Sequence, residues 1–398
     1  MLHCFLLGLL PVVSPLPLLV TVRYPSEAAN GGIYLRGGRK GTGEDLCGLS
    51  WGSGVPLKEG GKDEWTLQLE CEENAIVTLE MKALINDEQW SLGANHRVPL
   101  QLQDYPKSEK WKTTLPDRMN ATATSTSFAP WFGESQGSLS VLSNVVSKQF
   151  ENERDVIVYV PPGYNENPYL VPSQAVIMHD GQNLFDPSTA FGGQAWMVQD
   201  TVDPMIIAGR IPSLLIIGVY NTGANRINEY TNVQDPDYGG GNASLYLDFL
   251  EDTVLPLVEE NFRLPALGPE TLGTIGSSLG GLLSCFAAAT RPEVYGKAGC
   301  MSPSFWWASE NFRLKILPQI EPASEPDSPM YYLDSGDQGG DASSIEKPTQ
   351  AVRDSLEAKK DYQLNSNLFY YLDHGGDHNE KSWGSRFAEP MAALYGQA

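Results

Sequence analysis

The sequence predicts an α/β protein whose doubly wound, mostly parallel sheet is preceded by a small all-β sandwich domain. Between residues 17 and 106, short strand-like segments follow one another closely, as in a sandwich. Over residues 138–398, apolar strand-like segments alternate with helical ones, which is typical of a parallel sheet covered by helices. Residues 1–16 are a candidate signal peptide, and residues 107–137, rich in Lys, Ser, Thr, Asn and Pro, are the predicted linker.

Composition narrows the classes of partner. The 398 residues carry a formal net charge of −22, so nucleic acid, whose phosphates would be repelled, is not an expected partner. No apolar run reaches the roughly 18–20 residues that span a bilayer. A small-molecule or saccharide ester is compatible with this charge.

The first ten residues resemble the apolar core of a signal peptide, although no Lys or Arg precedes it and no clear cleavage site follows. A hydrophobic first strand is the alternative. Sequons at Asn120 and Asn242 suit secretion. We therefore expect the secretory route, with the cytoplasm as the alternative.

The five cysteines leave the redox state open. Cys4 lies in the candidate signal peptide. Cys47 with Cys71, and Cys285 with Cys300, would make two bridges, but buried free thiols are the equal alternative because sequence does not give connectivity.

The sandwich segment contains four candidate strands, at Leu18–Tyr24, Gly32–Arg36, Trp65–Cys71 and Ala75–Lys82. Trp51 sits among glycines and is the candidate carbohydrate-binding residue, whereas Trp65 and Trp90 are expected in the core. The segment resembles the starch-binding-like and early-set modules of carbohydrate enzymes at Ile33–Gly37, Leu49–Gly52 and Trp90–Asn95. This resemblance makes a polysaccharide a candidate partner.

The α/β segment alternates strands with helices. Its candidate strands are Leu139–Leu142, Arg154–Val160, Ala175–His179, Leu214–Tyr220, Lys297–Met301, Met330–Leu333 and Asn367–Leu372. Its candidate helices are Gln194–Ala208, Leu245–Phe262, Leu282–Thr290 and a segment near Gln350 to Lys360. Two of the strands, Ala175–His179 and Leu214–Tyr220, read as strands buried on both faces.

The stretch from Gly276 to Gly280 is a G-x-S-x-G pentapeptide between a strand-like and a helix-forming segment. A nucleophile elbow needs small residues two before and two after the nucleophile, so that strand and helix can pass each other. Gly276 and Gly280 occupy those places, which makes Ser278 the candidate nucleophile. A glycine-rich turn that happens to contain serine is the alternative.

A serine nucleophile needs a base to accept its proton, and the base needs an orienting acid. His374 and His378 are the two histidines after Ser278, and His378 is the predicted base because it lies in a loop beyond the last strand. A metal site made by these two histidines is disfavoured, because Gly375-Gly376 between them disfavour the helix it needs.

The acid is expected in the loop after the preceding strand. We rank Asp337 first, because it follows Gly336, where the loop can turn towards the histidine; Asp341 is second and Asp334 third. The two that do not serve are expected in a solvated acidic loop.

The oxyanion hole needs two main-chain N–H groups. Leu279, after the nucleophile, is one predicted donor, and Gln182 is the other, because Gly181 lets the loop after the strand Ala175–His179 bend sharply. His179 is expected to be structural. The predicted substrate-binding residues are Asp180, Trp196, Phe305, Trp306 and Trp307, of which the last three would form an acyl or aryl wall.

From residue 138 onward the chain resembles the putative-esterase family of α/β-hydrolases, which includes feruloyl and acetylxylan esterases, enterochelin esterases, esterase D and the antigen 85 acyltransferases. The matching segments are Val160–Tyr164, His179–Phe185, Arg226–Thr231, Gly276–Gly281, Ser302–Trp307 and His378–Trp383. The resemblance implies an α/β-hydrolase fold, Ser278 as nucleophile, His378 as base, Gln182 and Leu279 as oxyanion donors, and no metal or organic cofactor. The acid loop departs from the family pattern after Gly336.

The sequence therefore predicts a serine carboxylesterase that cleaves an acyl ester of a sugar, a polysaccharide or a siderophore through a Ser-His-Asp triad and an acyl-enzyme. One alternative is an acyltransferase with the same triad, in which a hydroxyl group replaces water. The other is a carbohydrate-binding protein with an inactive hydrolase domain.

Overall fold

The computed structural model describes residues 16–71, 76–101, 125–320 and 328–396. The chain divides into two compact units, Met1–Gly133 with Asn167–Leu170 and Glu134–Glu166 with Val171–Ala398. Residues 1–15 of the candidate signal peptide, with Cys4, and the sequon at Asn120 lie outside the described residues.

The first unit is built from two sheets. One has the strand order β4-β5-β1-β9 and consists of β1 (Leu16–Arg23), β4 (Lys58–Glu59), β5 (Glu64–Cys71) and β9 (Ser125–Phe128). The other has the order β3-β2-β6-β7, with β8 also paired to β6, and consists of β2 (Ile33–Arg39), β3 (Val55–Pro56), β6 (Ile76–Ile85), β7 (Gln89–Trp90) and β8 (His96–Gln101). Apolar side chains from both sheets form one hydrophobic core, as in a sandwich.

Two features of this unit differ from the sequence-based expectation. Part of the predicted linker is strand β9, which pairs in parallel with Leu19–Val22 of β1. Its four residues include one apolar side chain, Phe128, and so give no periodic signal. Trp65 is buried as expected, but Trp90 is 39% exposed because it lies on the short outer strand β7.

The second unit has an eight-stranded sheet of order β10-β11-β13-β12-β14-β15-β16-β17. Its strands are β10 (Ser138–Ser147), β11 (Asn152–Val160), β12 (Gln174–His179), β13 (Leu214–Val219), β14 (Leu272–Ser277), β15 (Lys297–Met301), β16 (Met330–Gly336) and β17 (Leu368–Asp373). All neighbouring pairs from β13 to β17 are parallel, and β11 is antiparallel to both of its neighbours. This mostly parallel sheet has the predicted α/β-hydrolase architecture.

The helices of this unit are α1 (Val198–Ile207), α2 (Arg226–Tyr230), α3 (Ala243–Phe249), α4 (Leu255–Asn261), α5 (Leu279–Thr290), α6 (Trp307–Asn311), α7 (Glu346–Glu357), α8 (Glu380–Ser385) and α9 (Ala388–Tyr395). The predicted helix Leu245–Phe262 is α3 and α4 joined by a wider turn, Leu250–Val254. In α6 three successive residues, Ala308 to Glu310, have positive φ, so this segment is a left-handed turn. None of the helices in the described ranges is long and apolar enough to cross a membrane.

Both cysteine pairs form disulfides. Cys47 is bonded to Cys71 of β5 in the first unit, with Cα atoms 4.3 Å apart. Cys285 of α5 is bonded to Cys300 of β15 in the second unit, with Cα atoms 6.0 Å apart. The second bridge therefore joins the helix that follows Ser278 to the neighbouring strand of the sheet.

Candidate active site

Ser278 lies between β14 and α5 and has an unusual backbone conformation. Its φ of 58° and ψ of −120° are strained for a residue with a side chain. The strain is held by main-chain hydrogen bonds: Ser278 N–H donates to Met301 O at 3.0 Å, and Ser278 O accepts from Leu282 N–H and Ser304 N–H, each at 3.0 Å. This conformation turns the Ser278 side chain out of the sheet at the start of a helix, as the elbow pattern predicts.

The glycines around Ser278 are required by close packing. A Cβ atom on Gly276 would lie 2.7 Å from the carbonyl carbon and oxygen of Gly280. A Cβ atom on Gly281 would lie 2.8 Å from Met301 O. The strand and helix therefore approach too closely for any larger residue at these positions.

The structure brings His378 to Ser278. His378 lies in the loop between β17 and α8, and its Nε2 is 2.9 Å from Ser278 Oγ. The imidazole ring packs edge-on against Trp383 of α8, with ring centres 5.0 Å apart. Packing against a buried indole restricts the rotation of the ring, so the approach of Nε2 to Oγ is fixed before any substrate binds.

The residue that contacts the other side of this histidine is Asp341 and not Asp337. His378 Nδ1 is 2.7 Å from Asp341 Oδ1. Asp337 instead accepts from Gly375 N–H at 2.8 Å and lies 2.9 Å from Nδ1 of the exposed His374. The first-ranked acid was therefore wrong, because the loop after β16 passes Gly340 before its next carboxylate turns inward at Asp341.

Of the two aspartates that do not contact His378, only Asp337 lies in a partly solvated loop, whereas Asp334 was expected there and is buried. Asp334 is fully buried, and its two oxygens accept from Nε and Nη2 of Arg386, each at 3.0 Å. Asp337, which is partly exposed, has its pKa lowered to about 2, chiefly by the hydrogen bond from Gly375 N–H and then by His374. Within the described residues, no group of three or more His, Cys, Asp or Glu side chains is placed to hold a metal ion.

Asp341 is held as a carboxylate in spite of its burial. Burial raises its pKa, but the hydrogen bonds from His378, Ser302 and Gly336 outweigh that effect, so the pKa lies below its ordinary value. Ser302 Oγ and Gly336 N–H both donate to Asp341 Oδ2 at 2.6 Å. Since an ionised carboxylate can only accept, His378 Nδ1 carries the hydrogen and Nε2 is left to accept one from Ser278.

The loop that carries Gln182 lies beside this elbow. In the adjacent strands β12 and β14, Met178 pairs in register with Ile275. A Cβ atom on Gly280 would lie 3.3 Å from His179 Cβ, so the end of β12 abuts the start of α5. Leu279 is the first residue of α5 and Gln182 lies in the single helical turn Gly181–Asn183, and N–H groups in the first turn of a helix have no acceptor within that helix. His179 is buried with Nε2 3.0 Å from Thr274 Oγ1, in keeping with a structural role.

Asp180 is committed to other side chains and is not open to a substrate. Its two carboxylate oxygens accept from Nε and Nη2 of Arg226, each at 2.7 Å, and Oδ1 also accepts from Asn221 Nδ2 at 2.7 Å. Burial raises the pKa of Asp180, but Arg226 and Asn221 outweigh it and the pKa is lowered. Asn221 N–H in turn donates to Gln182 Oε1 at 3.2 Å. The assignment of Asp180 to substrate binding is corrected: it fixes the loop that carries Gln182.

Most of the predicted aromatic wall is inside the protein. Phe305 is 1% exposed and stacks on Phe312, and Trp307 is 2% exposed and donates through Nε1 to Val233 O at 2.7 Å. Trp196 is also buried and packs against Trp383 with ring centres 6.1 Å apart. These three side chains are therefore buried and packed against other residues, which corrects their assignment to substrate binding.

One member of the wall remains accessible. Trp306 is partly exposed, and its ring lies edge-on to Tyr238, which is 59% exposed, with ring centres 6.0 Å apart. Trp306 is two residues after Ser304, whose main-chain N–H is bonded to Ser278. Trp306 and Tyr238 therefore form an accessible aromatic pair.

Sequence reasoning missed several polar residues. Ser304 is buried, with its Oγ 3.3 Å from Ser278 Oγ. Ser302 contacts Asp341, and Arg386 contacts Ser302. The signal that could have found the serines is their position directly after β15, because the carboxyl ends of neighbouring parallel strands meet at one edge of the sheet.

In the first unit, Trp51 is partly exposed and stacks on Trp90. The ring centres are 6.2 Å apart, and the planes are inclined by 29°. The guanidinium of Arg36 lies 5.2 Å from the Trp90 ring centre and donates to Asp87 Oδ1 at 2.8 Å. Trp51 and Trp90 thus form one aromatic surface that is accessible to solvent.

Comparison with known proteins identifies relatives of the second unit. The model of the family described as Putative esterase matches residues 147–394, which is more than half of the chain. The uncharacterized protein YbbA of Bacillus subtilis is 29% identical over 266 residues, covering 63% of this chain and 96% of its own length. The siderophore triacetylfusarinine C esterase of Aspergillus fumigatus is 42% identical over 71 residues, only 18% of this chain and 24% of its own length.

Two solved structures share the fold. The IroE-like serine hydrolase from Shewanella oneidensis has a TM-score of 0.50 and 19% identity, over 64% of this chain and 79% of its own. The BES protein from Bacillus cereus has a TM-score of 0.50 and 16% identity, over 65% of this chain and 94% of its own.

Proposed function

The chain belongs to the Putative esterase family and is a carboxylic ester hydrolase, and from that premise we propose that it works as a serine esterase through Ser278, His378 and Asp341. The observation that carries this proposal is one continuous line of contacts. Asp341 Oδ1 is 2.7 Å from His378 Nδ1, and His378 Nε2 is 2.9 Å from Ser278 Oγ. These contacts support the proposal, because acyl transfer to serine requires a nucleophile, a base and an orienting acid in this order and at such distances.

Acylation follows from these positions. Ser278 Oγ attacks the ester carbonyl carbon while its proton passes to His378 Nε2, and the carbonyl π electrons move onto the oxygen. We assign the N–H groups of Leu279 and Gln182 as donors to that oxyanion. When the C–O bond to the alcohol breaks, His378 returns the proton to the leaving oxygen. An acyl-enzyme on Ser278 remains.

Deacylation repeats these steps with water as the nucleophile. His378 Nε2 accepts a proton from water as the water oxygen attacks the acyl carbon, and the same two N–H groups hold the second oxyanion. The C–Oγ bond then breaks, its electron pair goes to Oγ, and His378 returns the proton to Ser278. The acid is released and the free enzyme is restored.

For the substrate, we propose an uncharged ester of a siderophore or an acylated saccharide. The relative from Aspergillus fumigatus is named for a siderophore ester, and the net charge of −22 disfavours a strongly anionic substrate. The Trp306–Tyr238 pair offers an accessible aromatic surface for one side of such an ester.

Polysaccharide binding by the first unit is a separate proposal that rests on the Trp51–Trp90 surface. Flat aromatic faces pack against the C–H face of a pyranose ring. Trp51→Ala and Trp90→Ala should each weaken retention on an insoluble polysaccharide. Phe191→Ala removes an aromatic side chain that is 77% exposed in the second unit and is the matched control. Unchanged retention in both tryptophan variants would rule the surface out.

For location, we propose the secretory route, because two disulfides suit an oxidising compartment. Thiol labelling of the protein taken from its native source tests this proposal. Labelling of Cys47, Cys71, Cys285 and Cys300 without prior reduction would contradict it.

The central test is hydrolysis of a panel containing a siderophore ester, an acetylated sugar and short-chain p-nitrophenyl esters. Ser278→Ala should lower turnover by about a thousand-fold or more. Ser277→Ala is the matched control, since this buried neighbour on β14 is the adjacent serine and is expected to retain activity. Full hydrolysis by folded Ser278→Ala would overturn the proposal.

A further inference from the structure

The hydroxyl of Ser302 lies at the meeting point of three buried groups. Ser302 Oγ is 2.6 Å from Asp341 Oδ2, 2.7 Å from Arg386 Nη2 and 3.0 Å from Trp383 Nε1. Ser302 itself is fully buried, as is Asp341. The hydroxyl therefore has all of its partners inside the protein.

The direction of these hydrogen bonds is forced. A guanidinium nitrogen and an indole nitrogen can only donate, so both lone pairs of Ser302 Oγ are used by Arg386 and Trp383. The single hydroxyl hydrogen is left, and the remaining neighbour is the Asp341 carboxylate. Ser302 thus donates to Asp341 whatever the state of the substrate.

Ser302 also stands between two opposite charges. Arg386 Nη2 is 3.7 Å from Asp341 Oδ2, while the same guanidinium contacts Asp334 and, through Nη1 at 3.1 Å, Asp373. A direct bond from Arg386 would draw the negative charge of Asp341 away from the histidine. A neutral hydroxyl satisfies Asp341 Oδ2 and leaves that charge facing His378.

Ser302 is held in this place by its backbone. Its φ of 37° lies in the left-handed region, and its N–H donates to Asp334 Oδ1 at 2.8 Å. The carboxylate that anchors the Ser302 backbone is therefore the one that anchors Arg386. The buried Asp334–Arg386 pair therefore fixes both the backbone of Ser302 and the guanidinium group that donates to the Ser302 hydroxyl.

We propose that Ser302 is a positioning residue of the catalytic site, whose hydroxyl separates Arg386 from Asp341 and directs the Asp341 charge to His378. This inference rests on the proposed function, in which His378 is the base. It predicts that removing the hydroxyl lets Arg386 close onto Asp341. The protonated form of His378 is then stabilised less during proton transfer.

The kinetic test uses Ser302→Ala on the full chain. We expect kcat to fall by about ten-fold, as for the loss of one buried charge-assisted hydrogen bond, with KM within about two-fold. The acid limb of the kcat/KM profile should move to lower pH. Other charged groups near His378 are Asp377 and Glu380, and the variant leaves both in place. Ser302→Gly also lacks the hydroxyl, and glycine favours the positive φ at this position. It should show the same kinetic change as Ser302→Ala, and agreement between the two variants would mean that misfolding of Ser302→Ala is not the cause.

Ser335→Ala is the matched control. It removes a buried hydroxyl from β16 that has no hydrogen-bond partner in the described part of the chain, and it should leave the profile unchanged. If both Ser302 variants fold and keep the wild-type kcat and acid limb, the proposal is wrong. It is equally wrong if the acid limb moves to higher pH.

A readout without substrate separates this inference from the proposed function. With five histidines in the chain, the proton on His378 Nδ1 can be assigned by NMR of histidine-labelled protein. It should resonate at low field in the wild type and move upfield in Ser302→Ala and Ser302→Gly. This shift would support the role of Ser302 even if no ester were hydrolysed, and an unmoved resonance would overturn it.

Discussion

Asp377 joins Gly340 to His378 through one carboxylate oxygen. Asp377 Oδ1 accepts from His378 N–H at 2.7 Å and from Gly340 N–H at 3.0 Å. Gly340 immediately precedes Asp341, so this oxygen ties the loop after β16 to the loop after β17. The distance between the proposed acid and base is thus set by a residue that contacts neither of their reacting atoms.

Replacing Asp377 tests whether this tie matters for turnover. Asp377→Ala leaves two N–H groups without their acceptor, at a cost of about 1–3 kcal/mol for each one that stays buried. We expect kcat to fall by about ten-fold or more as the two loops separate. Asp377→Asn keeps the accepting oxygen and should retain most activity in the same assay. Equal losses in the two variants would show that the charge, and not the accepting oxygen, is what the site needs.

A second prediction separates the two candidate acids. Asp341→Asn should lower kcat by about a hundred-fold or more, because an amide no longer fixes the histidine tautomer with Nε2 free to accept. Asp337→Asn changes an exposed partner of His374 and should stay within about two-fold of the wild type. Steady-state hydrolysis of one p-nitrophenyl ester by both folded variants is sufficient. A larger loss for Asp337→Asn than for Asp341→Asn would contradict the observed geometry.

The difference between these acids also marks how far the sequence could predict the site. The elbow at Ser278 was predictable because it restricts the residues around the serine to glycine, and that restriction is visible as a pattern. The contact of His378 with Ser278 was predictable because chain order leaves few histidines to choose from. The aspartate that contacts His378 was not, because Gly339, with φ of 49°, and Gly340 let the loop take several paths, and the path taken depends on Asp377 and Gly375.

The fold was more predictable than the surroundings of the site. Buried parallel strands have apolar residues on both faces, and this pattern appears in the sequence whatever lies next to them. Side-chain environment depends on neighbours that are distant in sequence. Trp307 and Phe305 were expected in a cleft, but they are buried and contact Val233 and Phe312 respectively. Asp180 was expected to bind substrate, but its carboxylate is bound by Arg226.

A third prediction concerns pH and the first unit. His96 of β8 stacks on Phe128 of β9 with ring centres 4.4 Å apart, and burial lowers its pKa from 6.5 to about 4. Because the folded pKa lies below the unfolded one, the unfolded chain binds the proton more readily between these values. The contribution to stability is complete above pH 6.5 and is lost as the pH falls towards 4, at most about 3 kcal/mol.

Urea unfolding at pH 7 and pH 4.5 measures this contribution. His96→Gln cannot titrate there, so its free energy of unfolding should fall less on acidification than that of the wild type. His374→Gln is the control, because the side chain of His374 is 80% exposed. The same loss of stability in His96→Gln and the wild type would contradict the assignment.

The last prediction concerns the elbow itself. Gly276→Ala places a methyl group 2.7 Å from the carbonyl of Gly280, and both partners are backbone, so neither can move without shifting β14 against α5. We expect a loss of roughly 1–3 kcal/mol in the free energy of unfolding, as for overpacking elsewhere. The relative fall in kcat should be larger than the relative loss of stability, because a shift of β14 against α5 displaces Ser278 directly. Gly268→Ala, in the loop before β14, is the matched control, since its added methyl group would meet nothing within 4 Å. Thermal unfolding and ester hydrolysis of both variants would decide the matter: equal behaviour would mean that the close approach of strand and helix does not hold Ser278 in its strained conformation.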